Sequence, residues 1–260
     1  MTERTELLAR AVADADTVTV LTGAGVSTAS GIPDFRSDDG IWEQYDRDRF
    51  DIRRFEDDPG GFWDDWLAAR GEVFPAEPDP NPAHGSLADL VRTGAVDTLV
   101  TQNTDGLHQA AGAPDDDVVE LHGSGDRVVC SAAACRYRGP ADPARKQAED
   151  GQRPPACPQC GSALKPGSVL FGESLPEHAH LTAHAAAERS DLFLVVGSSL
   201  TVEPAASLPE TAADRGATLA VVNLEPTPLD GRASYVFQDR AETLLPELRD
   251  HVLDGEPTRA

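Results

Sequence analysis

"LTGAGVSTASGIPDFR", residues 21–36, decides the fold. The β-branched run before it, 17–23, reads as a buried strand that ends in glycine. Gly23 and Gly25 then follow two apart, ahead of a short helical stretch. A strand–Gly-x-Gly–helix turn lets the backbone approach a pyrophosphate, although a tight turn without any ligand accounts for the same residues. A dinucleotide fingerprint would put a third glycine at position 28, where this chain has Thr28. It would also place an acid at the end of a second strand about 20 residues on, and none is there. Pro33 then blocks a simple continuing helix, so the turn leads into a rigid Pro33-Asp34-Phe35-Arg36 tail.

Outward from this stretch, apolar runs of strand length alternate with helical periodicity. Helices are expected over 4–14, 84–94, 177–190, around 205–215, and over 240–253. Strands are expected over 96–103, 117–124, 168–173 ("SVLFGE"), 191–199, 217–225 and the short "YVFQ". Such alternation implies an α/β fold, a Rossmann-type parallel sheet covered on both faces. Residues 34–80 differ, with Trp42, Tyr45, Phe55, Phe62, Trp63 and other aromatics among acids and arginines. They read as short helices folded over a cleft, with the aromatics at 42–66 mostly in the core of a small lobe. Residues 125–165 hold little apolar periodicity and need a staple to fold.

The polar residues collect just past strand ends, which is where open α/β sheets bind ligands. Gln102, Asn103 and Asp105 of "TQNTDGLH" are either a polar loop capping a helix or three groups able to hold an amide ligand such as nicotinamide. His122 follows a strand; it is either a packed imidazole or, from its place at this edge, a base near neutral pH. His178, His180 and His184 read as solvated, and His84 and His108 as bonding locally at helix ends. Cys130-x4-Cys135 and Cys157-x2-Cys160 supply four thiolates spaced for tetrahedral zinc. With every ligand position a sulfur, such a zinc would be structural.

The chain has 260 residues and a net charge of -23, with Lys146 and Lys165 its only lysines. That charge repels nucleic-acid phosphates and opposes self-association, so no direct nucleic-acid partner and a monomer are expected. Heavy acid with so little lysine suggests a protein adapted to high salt; equal stability with and without molar salt would contradict this. No run of about 18 apolar residues is present, so no membrane span is expected. A charged start and cysteines spaced for metal point to the cytoplasm.

Taken in order, "GAGVSTASGIPDFR", "TQNTDGLH", "LHGS", the two cysteine pairs, "KPGSVLFGE", "GSSLTVEPA" and "NLE" resemble the sirtuins, NAD-dependent protein-lysine deacylases. The resemblance covers about residues 4 to 250. It implies a Rossmann-type NAD-binding large domain (1–33, 81–124 and 168–260), a helical module with a cofactor-binding loop (34–80) and a zinc module (125–167). Carried over by motif, Gly23, Ala24, Gly25, Asp34 and Arg36 would meet the cofactor phosphates and ribose. Ser27, Ile32, Gln102, Asn103 and Asp105 would line the nicotinamide pocket, with Phe35 screening the reacting carbon. Gly197, Ser198, Ser199, Asn223, Glu225 and Ala241 would hold the adenosine half, supplying the ribose contact that the first turn lacks.

The family activity implied is deacetylation of acetylated lysines in proteins, yielding nicotinamide, O-acetyl-ADP-ribose and free lysine. His122, with Asn103, would be catalytic, taking a proton from the ribose hydroxyl system. Cys130, Cys135, Cys157 and Cys160 would hold one structural zinc ion. The peptide would lie as an extended strand between "VLFGES" and "LTVEP", contacting Val169, Phe171, Gly172, Glu173 and Val202, with Val169 and Phe171 forming the acyl-lysine tunnel.

Three departures from the family pattern stand out: Thr104 where Ile or Val is usual, Ser168 where Val is common, and Leu67 with Arg70 where succinyl-removing members carry Tyr and Arg. The last predicts acetyl-lysine over succinyl-lysine. ADP-ribosyl transfer and a non-catalytic NAD-binding role are the alternatives; the intact Asn103, Asp105 and His122 argue against the second.

Overall fold

The two strands that contribute only buried side chains lie at the centre of the sheet. In the computed structural model, which describes residues 3–34, 46–73 and 78–254, these are β1 (Val18–Thr22) and β7 (Leu192–Val196). They pair in parallel, Val18 opposite Leu192 through Thr22 opposite Val196. On the far side of β1 lie β2 (Thr98–Thr101) and β3 (Val118–Glu120). On the far side of β7 lie β8 (Thr218–Val222) and β9 (Tyr235–Phe237). The order β3-β2-β1-β7-β8-β9 is parallel throughout. Strand order reverses between β1 and β7, and the crevice above their carboxyl ends is where this topology binds ligands.

Helices cover both faces, as the apolar character of the strands requires. On one face α1 (Glu3–Asp14), α4 (Pro82–Arg92) and α9 (Ala241–Asp254) bury Leu8, Leu87, Leu90, Leu245 and Leu248 against Val20, Leu99 and Leu194. On the other, α7 (Glu177–Arg189) and α8 (Ser207–Asp214) bury Ala183, Ala187, Leu208 and Ala212 against Leu21, Phe193 and Val221.

Two insertions interrupt this layout. Between β1 and β2 come α2 (Ile52–Asp57) and α3 (Pro59–Val73). After β3, and after the short helix α5 (Leu107–Ala110) that precedes it, comes a three-stranded antiparallel sheet. Its strands are β4 (Gly123–Cys130), β5 (Arg138–Pro140) and β6 (Leu164–Ser168), with helix α6 (Ala141–Glu149) beside them. The insertions share one core: Phe55, Phe62 and Trp63 pack with Val128, Ala141, Ala144, Ala148 and Leu164. The Trp63 indole N–H also donates to the Leu164 carbonyl (2.8 Å). Arg127 of β4 pairs with Glu120 of β3, tying the small sheet to the edge of the large one.

The cysteine-bearing segment is therefore more regular than its periodicity suggests, because its apolar positions face the aromatics of the other insertion. "SVLFGE" corrects the sequence reading in the opposite sense. Leu164–Ser168 is the strand, and residues 169–173 leave the sheet for a turn at Gly172, whose φ is +79°. Phe171 instead forms an isolated bridge to Asp51. Trp42 and Tyr45 lie outside the described residues.

Candidate functional site

The loops after β1 and β7 touch through backbone alone. Gly25 N–H donates to the Gly197 carbonyl (2.9 Å), and Gly23 N–H to the Val196 carbonyl (3.0 Å). A Cβ on Gly23 would sit 2.7 Å from the Gly197 carbonyl oxygen, and one on Gly197 would sit 2.4 Å from the Val26 nitrogen. Gly197 also takes φ +61°, a region L side chains adopt rarely. Thr28, at the third fingerprint position, turns its hydroxyl back onto the Gly25 carbonyl (3.1 Å). Leu200 holds φ +53° in the loop after β7, a strained non-glycine position bordering the site.

Beneath this turn, hydrogen-bond inventory sets the proton positions. The Ser27 hydroxyl donates to Asp105 Oδ2 (2.7 Å), so its lone pairs accept from Asn103 Nδ2 (3.0 Å) and from His84 Nε2 (3.3 Å). His84 Nδ1 accepts the Asn81 N–H (3.2 Å), which places the ring proton on Nε2. Burial drives the His84 pKa down to about 4, with the Asp105 charge opposing it, so the ring is neutral at pH 7. Asn103 Nδ2 also donates to the Gly23 carbonyl (3.1 Å), and Asp105 Oδ1 accepts the Leu107 N–H (3.0 Å). The amide of Asn103 is thereby oriented, leaving its Oδ1 toward the cleft.

His122 stands at the exit of β3, and its Nδ1 lies 2.9 Å from the Gln102 carbonyl. A carbonyl only accepts, so Nδ1 carries the proton and Nε2 is the bare nitrogen. Nε2 has no partner among the described residues. Burial lowers the His122 pKa, and its bond to Gln102 opposes that shift. The result is a neutral imidazole with a free lone pair at ordinary pH, the state a general base needs. Gln102 itself is anchored by Nε2 donating to Ser198 Oγ (2.9 Å).

A cleft of about 970 Å³ joins these groups. Gly23, Ala24, Gly25, Asp34, Gln102, Asn103, Asp105 and His122 line it, together with Val169, Phe171, Gly172, Glu173, Gly197, Ser198, Ser199, Val202, Asn223, Glu225 and Ala241. Of residues 172–175 and 201–203, Gly172, Glu173, Leu175, Val202 and Glu203 line the cleft; the N–H groups of Gly172, Ser174, Leu175, Thr201, Val202 and Glu203 have no partner among the described residues.

Away from the cleft, the Sγ atoms of Cys130, Cys135, Cys157 and Cys160 all lie within 4.8 Å of one another. Cys130 and Cys160 are 3.4 Å apart, Cys135 and Cys157 3.8 Å. Tetrahedral zinc with bonds of about 2.3 Å requires sulfurs about 3.8 Å apart, so the set fits one zinc ion with no open coordination position.

Residues 23–204 match the Sir2 family. This chain belongs to that family. A NAD-dependent protein deacetylase of Haloarcula marismortui is 48% identical over 95% of this chain and 94% of its own length. One from Pyrobaculum aerophilum is 41% identical over 96% of each. Among solved structures, a Sir2 enzyme with 38% identity superposes with a TM-score of 0.85 over 98% of this chain and 100% of its own. A Sir2 complex with a deacetylated p53 peptide and 3'-O-acetyl ADP-ribose superposes with a TM-score of 0.83 at 35% identity, over 97% of this chain and 98% of its own. The curated Sir2 relatives are matched across nearly their whole lengths, so both insertions belong to the family fold.

Most residues anticipated from the Sir2 motifs converge on one cleft. Ser27 and Ile32 do not line it; both are buried, Ser27 as the hub under the turn. Phe35 and Arg36 lie outside the described residues. Glu173 reaches the cleft wall, but its Oε2 is held by Lys165 and by the Leu170 N–H. Of the two histidines expected to bond locally at helix ends, His84 bears the reading out and His108 departs from it. His84 does bond locally, yet it also supports Ser27. His108 makes no local bond: its Nε2 meets Thr22 Oγ1 (2.9 Å), and its ring lies 5.0 Å from that of His84. Sequence reasoning also missed Trp66, Phe50 and Arg240 as cleft residues. Trp66 adjoins Leu67 and Arg70, which the sequence had singled out, so that triplet held the available signal.

Proposed function

We propose that this chain is an NAD-dependent deacetylase of protein lysines whose base is His122. The observation that carries the reading is the His122–Gln102 contact, which leaves Nε2 unprotonated in a cleft at the sheet's switch point. The large domain (1–33, 81–124, 168–260) binds the dinucleotide. The helical module (34–80) and zinc module (125–167) close over it.

Bound NAD supplies a labile bond from ribose to nicotinamide and an acceptor carbon for the acyl oxygen. The chain's own groups do the rest. The backbone of Gly23–Gly25 takes the pyrophosphate, the glycines permitting close approach. Asn223 and Glu225, at the end of β8, provide the ribose contact that the first turn lacks; Asn223 Nδ2 is bonded to the Glu225 carbonyl (2.8 Å), which shapes that loop. Gly197, Ser198, Ser199 and Ala241 enclose the adenosine half. Asn103 presents Oδ1 near the nicotinamide pocket with Asp105, while Asp34 faces the phosphates and ribose.

His122 Nε2 accepts a proton from a ribose hydroxyl, and the Gln102 carbonyl steadies the resulting imidazolium through Nδ1–H. No charged nucleophile comes from the protein, so positioning and water exclusion carry the rate.

The acylated peptide adds as a strand between 172–175 and 201–203, whose unpaired N–H groups await backbone carbonyls. Val169 and Phe171 flank the acyl-lysine. Backbone docking gives affinity with little dependence on peptide sequence. The four-thiolate zinc holds the small lobe together, and its need for reduced thiols supports a cytoplasmic setting.

The test incubates acetylated peptide with NAD and the enzyme and follows nicotinamide, deacetylated peptide and O-acetyl-ADP-ribose. All three should form, and His122→Ala should abolish turnover with its melting temperature nearly unchanged. Nicotinamide with labelled protein would indicate ADP-ribosyl transfer instead, and full activity of the variant would refute the assigned base.

A further inference from the structure

The stretch 168–171 leaves the small sheet and becomes the wall of the cleft, and something must hold it in that shape. The buried amine of Lys165 lies directly behind it. Its Nζ donates to the carbonyls of Pro166 and Ser168 and to Glu173 Oε2, each at 2.9 Å. Three N–H bonds on a tetrahedral nitrogen meet three acceptors, so the ammonium is fully used. Glu173 Oε2 in turn accepts the Leu170 N–H (2.7 Å). Lys165 is 8% exposed, in a chain whose other cations are arginine except for Lys146. A planar guanidinium could not direct three bonds to these acceptors.

We infer that Lys165 and Glu173 are positioning residues for acyl-lysine binding: the pair folds residues 166–173 around one ammonium and so sets the peptide-facing wall. Lys165 sits in β6 opposite Val129, one residue along from the pairing of Leu164 with Cys130. The clamp therefore runs from the cysteine-bearing sheet to the wall of the cleft. Beyond it, Val169 N–H donates to the His122 carbonyl (2.8 Å), and Phe171 exchanges backbone bonds with Phe50 and Ile52 of the helical insertion. Each of these bonds fixes the segment from a different side, and Lys165 is the one that gathers its own turns. Burial lowers the Lys165 pKa, and the charge and hydrogen bond of Glu173 oppose that shift. Glu173 thus acts through the wall rather than by touching the peptide with its side chain.

This inference rests on the deacetylase reading, and the experiment separates the two. Steady-state kinetics with an acetylated peptide and NAD, plus NAD binding by calorimetry, would be measured for the wild type, Lys165→Met, Lys165→Arg, Glu173→Ala and Glu173→Gln. An inactive wild type refutes the deacetylase reading itself. With an active wild type, Lys165→Met and Glu173→Ala should raise the peptide KM about tenfold or more, from loss of charged hydrogen bonds. The NAD Kd should stay within about twofold, since the clamp is remote from the glycine turn. Lys165→Arg should not rescue. Glu173→Gln keeps one oxygen able to accept both N–H groups, so its KM should lie nearer the wild type than that of Glu173→Ala. Peptide KM values unchanged in both Lys165→Met and Glu173→Ala would overturn the inference. So would an NAD Kd that rises in step with the KM, or a Glu173→Gln variant as impaired as Glu173→Ala.

Discussion

The contact between the loops after β1 and β7 can be dissected with three glycine-to-alanine changes. Gly94 has φ +76° with nothing within 4 Å of an added Cβ, so Gly94→Ala isolates backbone strain. That strain costs about 1–2 kcal/mol, partly offset by a stiffer unfolded chain. Gly23 has φ -130°, which any residue adopts, so Gly23→Ala isolates the clash with the Gly197 oxygen at 2.7 Å. Overpacking of this kind costs about 1–3 kcal/mol. Gly197→Ala carries both penalties: φ +61° and a Cβ 2.4 Å from the Val26 nitrogen. Its expected loss is roughly 2–5 kcal/mol, or a melting point lower by roughly 5–15 °C.

Ordinary contact begins near 3.4 Å, so the two loops must part by about 1 Å to admit that methyl group. A displacement of this size in a binding cradle costs on the order of a hundredfold. Gly23→Ala and Gly197→Ala should therefore weaken NAD binding about that much, and Gly94→Ala should not. Calorimetric titration of NAD and thermal denaturation read both quantities. If Gly197→Ala destabilises no more than Gly94→Ala and binds NAD as the wild type does, close backbone approach does not build the cofactor site.

Removing metal with a strong chelator should unfold the small lobe and abolish activity, because structural zinc contributes about 10–16 kcal/mol in comparable four-ligand sites. Circular dichroism and limited proteolysis near 125–167 would show it, and a chelated protein with unchanged protection would refute the zinc assignment. Acid should destabilise the fold through His84 and His108, whose folded pKa values burial lowers to about 4 and about 3. The unfolded chain binds more protons below about pH 6.5, so this stability is complete above that value and lost as pH falls toward 4 and 3. The deficit should reach roughly 3 kcal/mol for each ring at pH 4, with His84→Gln flattening the profile measured by urea melts. Lastly, kcat/KM on matched peptides should favour acetyl-lysine over succinyl-lysine. Arg70 borders the cleft, but Leu67 brings no hydroxyl beside it; a faster succinyl reaction would contradict this.

The parallel sheet was legible because its central strands are short runs of apolar and β-branched residues, every one buried. The cleft was legible because polar motifs recur just past those runs. The small sheet was not. Strand β6 reads Leu-Lys-Pro-Gly-Ser, with none of the usual strand residues after its leucine. It is an edge strand in the order β5-β4-β6, where a proline nitrogen need not donate to a neighbour. The adjacent apolar "VLF" looked more strand-like but spends its N–H groups on the His122 carbonyl, the Glu173 carboxylate and the Phe50 carbonyl. No local pattern announces such partners. His108 was misread, and the second bond of His84 was missed, for a related reason. Helix-end histidines ordinarily bond to nearby backbone, as His84 does through Asn81, but Thr22 reaches His108 and Ser27 also reaches His84 from the first strand and its turn.

The Lys165 clamp has a consequence for the protein as a target of acylation. Its amine is wrapped by three acceptors behind the cleft wall, leaving Lys146, 76% exposed on helix α6, as the lysine that an acyl donor in solution can reach. Among the described residues Lys146 pairs with Asp150, and it belongs to neither the cleft nor the cysteine cluster. An enzyme that strips acyl groups from lysine thus offers almost no lysine of its own. Acylation of its lysines would therefore be expected at Lys146, away from the cleft.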